Sequence, residues 1–330
     1  MQKWRALADT APLRRLKSVG MNCGLEYTRF EPYVHGRRNT RYDHSVGVAE
    51  IVWRFTGDEK QAAAGLLHDV STPVFAHVVD FLNGDALTQE STEAGTRQII
   101  EESEDVQRAL REMGLTTDDV CDYHIYPVAD NPSPRLSADR LEYTLRNLTA
   151  FHICTPERAQ RLYEDLIVDS NEYGEAELMF RTPERAREFA QLALRTARLY
   201  VTDADRCAMQ YLAELLARAI DRGVLRRDML HSTEPQVIAA LEAHPETAEL
   251  WRRFCALSVV ERSEVRPDGG GWRQIPAKKR FIDPLARGLG RVSAWDEAFG
   301  SDLEAFRRES QDVWVRARGS RMSDELDNQG

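Results

Sequence analysis

Asn39-Thr40-Arg41-Tyr42-Asp43-His44-Ser45-Val46-Gly47-Val48 and, further on, Ala64-Gly65-Leu66-Leu67-His68-Asp69-Val70 are the stretches on which the fold turns. From His44 onward, Val48, Ile51, Val52 and Phe55 recur at steps of three and four, the period of a helix with one buried face. Gly57-Asp58 stops that helix. A second helix runs through residues 61–67 and carries His68 and Asp69 near its end. Pro73 interrupts it, because proline lacks the amide donor and crowds the preceding turn. Outward from there, Ser137-Ala138-Asp139-Arg140-Leu141-Glu142-Tyr143 lies in a third helical segment, on which Leu141, Leu145 and Leu148 share a face.

Each of these segments carries an imidazole or a carboxylate on rigid backbone. Imidazole nitrogen and carboxylate oxygen together suit a divalent first-row ion such as Mn, Fe, Co, Ni or Zn. Three helices can converge on one ion and leave positions open for water or substrate. Taken singly, each histidine is more simply a hydrogen-bonded core residue; the case rests on the words around them.

Those words resemble the signatures of the HD-domain metal-dependent phosphohydrolases, and most nearly the deoxynucleoside triphosphate triphosphohydrolase branch, over residues 37–147. The resemblance implies that His44, His68, Asp69 and Asp139 hold one divalent transition metal. It implies that His77 and Asp80, at i and i+3, are the catalytic pair. Arg41 matches a position that contacts substrate phosphate, for which a forked guanidinium is suited. Tyr143 would share the Asp139 face and contact substrate, with Arg140 beside it. Lys278, Lys279 and Arg280, in a basic stretch also seen in some HD-domain relatives, would add a phosphate-facing patch. The chemistry implied is attack of metal-activated water on phosphorus in a nucleotide or related phosphate ester.

Three positions depart from the branch pattern. A catalytic histidine is replaced by Thr72, a later one by Gln89, and the sugar-reading glutamine by Met21. Threonine and glutamine hydrogen-bond but do not titrate near neutral pH. The pattern favours a divergent phosphohydrolase, with a catalytically reduced nucleotide-binding regulatory protein as the alternative. His124 is the candidate for a second metal, which is not the favoured reading.

Elsewhere, Thr155-Pro156-Glu157-Arg158 and Thr182-Pro183-Glu184-Arg185 are two helix starts with threonine at the N-cap and proline at N1. The later of these helices is read as long, extending toward Leu216. The β signal comes late, as a hairpin of 259–265 and 271–275 around Pro267-Asp268-Gly269-Gly270. The expected fold is all-α with that small hairpin: a phosphohydrolase core over 1–180 and a helical appendage over 181–330 with the hairpin near 259–276. Forty-four basic against fifty-four acidic residues give a net charge of −10, which argues against a nucleic-acid partner. No apolar run reaches the roughly 20 residues a membrane span needs. The first residues lack an apolar signal core, and five scattered cysteines without C-x-x-C point to a reducing cytoplasm. Assembly into a homo-oligomer is open, since no segment marks an interface.

Overall fold

The computed structural model of the chain describes residues 2–84 and 95–319. A 3-10 turn, Lys3–Asp9, and helix α1, Ala11–Leu16, lead to α2, Arg41–Thr56. Thr40 starts α2 through a capping box: its hydroxyl accepts from the Asp43 amide, and the Asp43 carboxylate accepts from the Thr40 amide. Gly57, at φ 65°, ends it as predicted. Asp58 at once caps α3, Glu59–Leu67, accepting from the amides of Lys60 and Gln61. Then come α4, Val78–Leu82, α5, Thr96–Glu102, α6, Glu104–Met113, and α7, Ala138–Ala150, capped by Ser137.

The two threonine-proline starts differ. Thr155 caps α8, Pro156–Glu164, with its side chain, whereas Thr182, before α9, Pro183–Leu199, directs its hydroxyl and amide to Asp165. The long helix expected past Met209 is two helices. Thr202 caps a new one, α10, Asp203–Asp221, by accepting from the Asp205 amide. Beyond lie α11, Glu234–Glu242, α12, Pro245–Cys255, α13, Val292–Trp295, and α14, Glu297–Arg308.

The fold is mainly helical with small β parts, one of them unanticipated. Strands β1, Leu166–Ser170, and β2, Ala176–Phe180, form an antiparallel hairpin. Its turn is built by Asn171, whose side-chain oxygen accepts from the amides of Tyr173 and Glu175, and by Gly174 at φ 80°. The late hairpin is corrected in its pairing. Strands β3, Leu257–Ser263, and β4, Arg273–Gln274, do not bond to each other. After the two-residue strands β5, Leu285–Ala286, and β6, Gly290–Arg291, which extend the first sheet, β7, Trp314–Gly319, inserts between β3 and β4. Val315 of β7 pairs with Arg262 on one side and Arg273 on the other, and its side chain is fully buried. An inserted strand saturates both edges with backbone bonds and adds this apolar anchor, which direct pairing of the two flanks would not provide.

Two apolar cores hold the chain together. One gathers Val48, Val52, Leu66, Leu141 and Leu148 with the α9 face of Phe189 and Leu192; the other gathers Leu25, Phe81, Met209, Leu212 and Trp251. Each such side chain contributes about 1.5–3 kcal/mol on burial. Packing is continuous across residue 180, where Phe180 and Phe189 lie with ring centroids 5.2 Å apart. Among the described residues no helix is long and apolar enough to cross a membrane. A cavity of about 790 Å³ opens where the two cores meet, lined from one side by Tyr123 and from the other by Leu25, Phe81 and Met209.

Candidate metal centre

At the head of that cavity, α2 brings His44, the end of α3 brings His68 and the first turn of α7 brings Asp139. One ligand atom from each lies within 4.8 Å of the others. Both imidazoles are oriented by their inner nitrogens. Nδ1 of His44 lies 2.6 Å from Oε2 of Glu142, and Nδ1 of His68 lies 2.7 Å from the carbonyl oxygen of Gly65. Those acceptors hold a proton on each Nδ1, so both Nε2 atoms point toward Asp139, at 2.9 Å from His44 and 3.6 Å from His68. Converging imidazole lone pairs and a carboxylate are a donor set for a divalent cation, so the residues fit the ion.

The electrostatics agree. Burial opposes a charged His44, yet the carboxylates of Glu142 and Asp139 outweigh it and raise its pKa to about 10. Burial likewise opposes ionised Asp139, but hydrogen bonding and charge from His44 pull its pKa down to about 2. This corner demands positive charge. Gly47 makes room for it: a Cβ there would lie 2.5 Å from Oε1 of Glu142, so only glycine lets the carboxylate reach His44.

Asp69 is shared. Its Oδ2 lies 3.6 Å from Nε2 of His68 and 4.0 Å from Nε2 of His44, and accepts from Nη1 of Arg41 at 3.0 Å. Its Oδ1 accepts from the Thr72 hydroxyl at 2.7 Å. Burial opposes the anion, but Arg41 and the two histidines hold the carboxyl far below the usual range. Thr72 is therefore a brace for Asp69. Arg15 braces the same turn, donating to the carbonyls of Val70 and Thr72. Gln89 lies outside the described residues.

His77 is presented differently. The two residues before it, Phe75 and Ala76, both have left-handed backbone, φ 58° and 46°, a strained conformation for non-glycine residues. Both side chains are fully buried, which holds the strain in place. Nδ1 of His77 donates to Oδ2 of buried Asp80 at 2.9 Å, and Nη2 of Arg280 donates toward its Nε2 at 3.5 Å. Burial lowers the His77 pKa to about 4; the Asp80 bond opposes this, and the cations Arg280 and Arg41 reinforce it. The imidazole is neutral at pH 7, with Nε2 as the acceptor.

The other expected residues separate into two groups. Arg41, Arg140, Tyr143, Lys278, Arg280 and Met21 line the cavity. Arg140 is committed to the loop before α7, through Asp130 at 3.1 Å and the carbonyls of Arg135 and Asn131. Lys279 points elsewhere: its ammonium donates to the carbonyls of Phe306, Arg307 and Glu309 at the end of α14. A basic run cannot place three consecutive side chains on one wall. His124 lies 3.1 Å from Asp122 and 3.5 Å from Asp130, apart from the cluster of His44, His68 and Asp139. Sequence reasoning assigned no role to Glu142, Asp130, Tyr33 or Asp205. Glu142 had a signal, since it shares the face of Asp139 three residues earlier.

No family model matches the chain. The protein YdhJ of Bacillus subtilis is 28% identical over 242 residues, 72% of this chain and 70% of that one. Metal-dependent phosphohydrolase cns2 of Cordyceps militaris is 27% identical over 160 residues, 48% of this chain and 44% of that relative, so the match spans less than half of it. Among solved structures, a phosphohydrolase from Bacteroides thetaiotaomicron shares the fold with a TM-score of 0.66 at 16% identity, over 96% of this chain and 95% of that one. The chain is thus similar in sequence to a protein named a metal-dependent phosphohydrolase and shares the fold of a solved phosphohydrolase.

Proposed function

We propose that the protein hydrolyses a small phosphate ester, nucleotides included, in the cytoplasm, with His44, His68, Asp69 and Asp139 holding one divalent transition metal. The observation that carries this reading is the pair of imidazoles whose Nδ1 atoms are pinned by Glu142 and Gly65, so that both Nε2 atoms face Asp139. A bound ion polarises a phosphoryl oxygen and acidifies water. His77 receives a proton at Nε2, while Asp80 holds its Nδ1–H and stabilises the imidazolium that forms. Arg41 and Arg280 orient phosphate oxygens, and Tyr143 bounds the substrate on the α7 side. In this proposal residues 1–180 form the phosphohydrolase core, and the appendage over 181–330 lends it Arg280.

The test is phosphate release from a panel of nucleotides and other phosphate esters, with the purified chain loaded in turn with Mn²⁺, Fe²⁺, Co²⁺ and Ni²⁺. Release with at least one ion is expected. A fully loaded protein that frees no phosphate from any ester contradicts the reading. It would favour a nucleotide-binding regulatory protein, the second reading, for which the observation is Thr72: its hydroxyl is committed to Asp69 and moves no proton.

A further inference from the structure

The same cavity contains a carboxyl group that the metal chemistry does not use. Asp205, on the first turn of α10, is 6% exposed and lines the cavity with Tyr33, itself 5% exposed. Tyr33 donates its hydroxyl to Oδ2 of Asp205 at 2.5 Å, and its ring is fixed edge-on against Phe151 with centroids 5.3 Å apart. Among the described residues no other donor reaches the Asp205 carboxylate, and no basic group lies within ion-pair distance of it. The charge it senses is that of Arg280, the same guanidinium that stands 3.5 Å from His77. Arg280 thus neighbours the proton-transfer histidine and acts electrostatically on Asp205.

A buried carboxyl with one neutral donor is under-compensated. Burial raises its pKa to about 7, and neither the Tyr33 bond nor Arg280 cancels that. Helix formation does not require it, since the α10 cap is supplied by Thr202. Asp205 lines the same cavity as His44, His68 and Asp139.

The charge inventory limits the phosphate end. Five aspartates line the cavity against four arginine and lysine side chains. Of those cations Arg140 is held by the α7 loop, and Arg41 gives one arm to Asp69. Set against the five aspartates, one divalent ion with Arg280, Lys278 and the two committed arginines leaves only a small positive excess, enough to attract a single phosphate dianion but short of a triphosphate bearing about four charges.

Resting on the phosphohydrolase reading above, we propose that the substrate is a phosphate monoester whose alcohol part carries a hydroxyl or amino donor, and that Asp205, oriented by Tyr33, is the subsite that accepts from it. In the reaction the water oxygen bonds to phosphorus, the ester P–O bond breaks, and the alcohol leaves with a proton that came from the water. Asp205 takes no part in that transfer; it sets which alcohol is held.

The experiment compares kcat/KM for adenosine monophosphate, glucose 6-phosphate, p-nitrophenyl phosphate and ATP, using the Mn²⁺-loaded full chain as wild type, Asp205→Ala and Tyr33→Phe. Wild type is expected to prefer one donor-bearing monoester over both p-nitrophenyl phosphate and ATP by at least about tenfold. In Asp205→Ala the ratio of that ester to p-nitrophenyl phosphate is expected to fall at least about tenfold, through KM. Tyr33→Phe, which keeps the ring on Phe151, lowers the ratio by roughly threefold. A ratio unchanged in Asp205→Ala, or ATP as the best substrate, overturns the proposal. Calorimetric binding of adenosine monophosphate and glucose 6-phosphate separates this from failure of the hydrolase reading. If no chain turns over any ester, tighter binding of one of them to wild type than to Asp205→Ala still supports the subsite, and equal binding of both overturns it.

Discussion

His44 and His77 share one cavity and stand in opposite electrostatic settings. His44 sits in regular helix among carboxylates, and its pKa is raised to about 10; His77 follows two strained residues, faces two arginines, and is lowered to about 4. The first corner attracts a cation and the second repels one. A site that binds a metal ion and needs a neutral base beside it requires both settings close together. The backbone divides accordingly: helices fix His44, His68 and Asp139, while a tight left-handed turn aims His77.

The largest effect should come from the metal corner. His68→Ala is expected to abolish bound metal and lower phosphate release by more than about 10³-fold, with the helical circular dichroism retained. His77→Ala should lower kcat by about 10²–10⁴-fold while metal content stays at the wild-type level, a split that atomic absorption and kinetics read together. If both variants lost metal alike, the contrast between the two histidines would be gone. Next in size, Gly47→Ala pushes Glu142 off His44 and should weaken metal affinity by about 10–100-fold in a chelator competition.

The pH dependence sharpens the same contrast. A histidine whose folded pKa is depressed contributes stability that is complete above its unfolded value of 6.5 and is lost as pH falls toward 4. Urea denaturation between pH 7 and pH 4 should show that loss in wild type, and His77→Asn should flatten it. The smallest effect belongs to Lys279→Ala, outside the cavity: about 0.3–1 kcal/mol of stability from the α14 terminus, with kcat/KM within twofold of wild type.

The sequence carried the site's helices well, because their signals are local. Thr40 with Asp43, Gly57 and Ser137 are caps that act within a few residues, and the apolar period from Val48 to Phe55 lies within one helix. What stayed hidden depends on distant partners. β7 enters between β3 and β4 from the far end of the chain, so the glycine-rich turn suggested a pairing that backbone saturation overrode. Asp205 meets Tyr33 across 172 residues, and neither has a motif of its own. Lys279 looked identical to its neighbours as a charge, and only the exposed carbonyls of α14 distinguish it. Glu142 stood inside a recognised motif, yet its value lies in reaching His44 on another helix.

The central claim is that His44, His68, Asp69 and Asp139 hold the ion on which hydrolysis depends. It is tested most directly by stripping the purified chain with a chelator, adding back Mn²⁺ in steps, and following phosphate release from its best ester. The account predicts no release from the stripped chain and full recovery at about one ion per chain, with His68→Ala recovering nothing. Release that persists without metal, or that returns equally in His68→Ala, would contradict it.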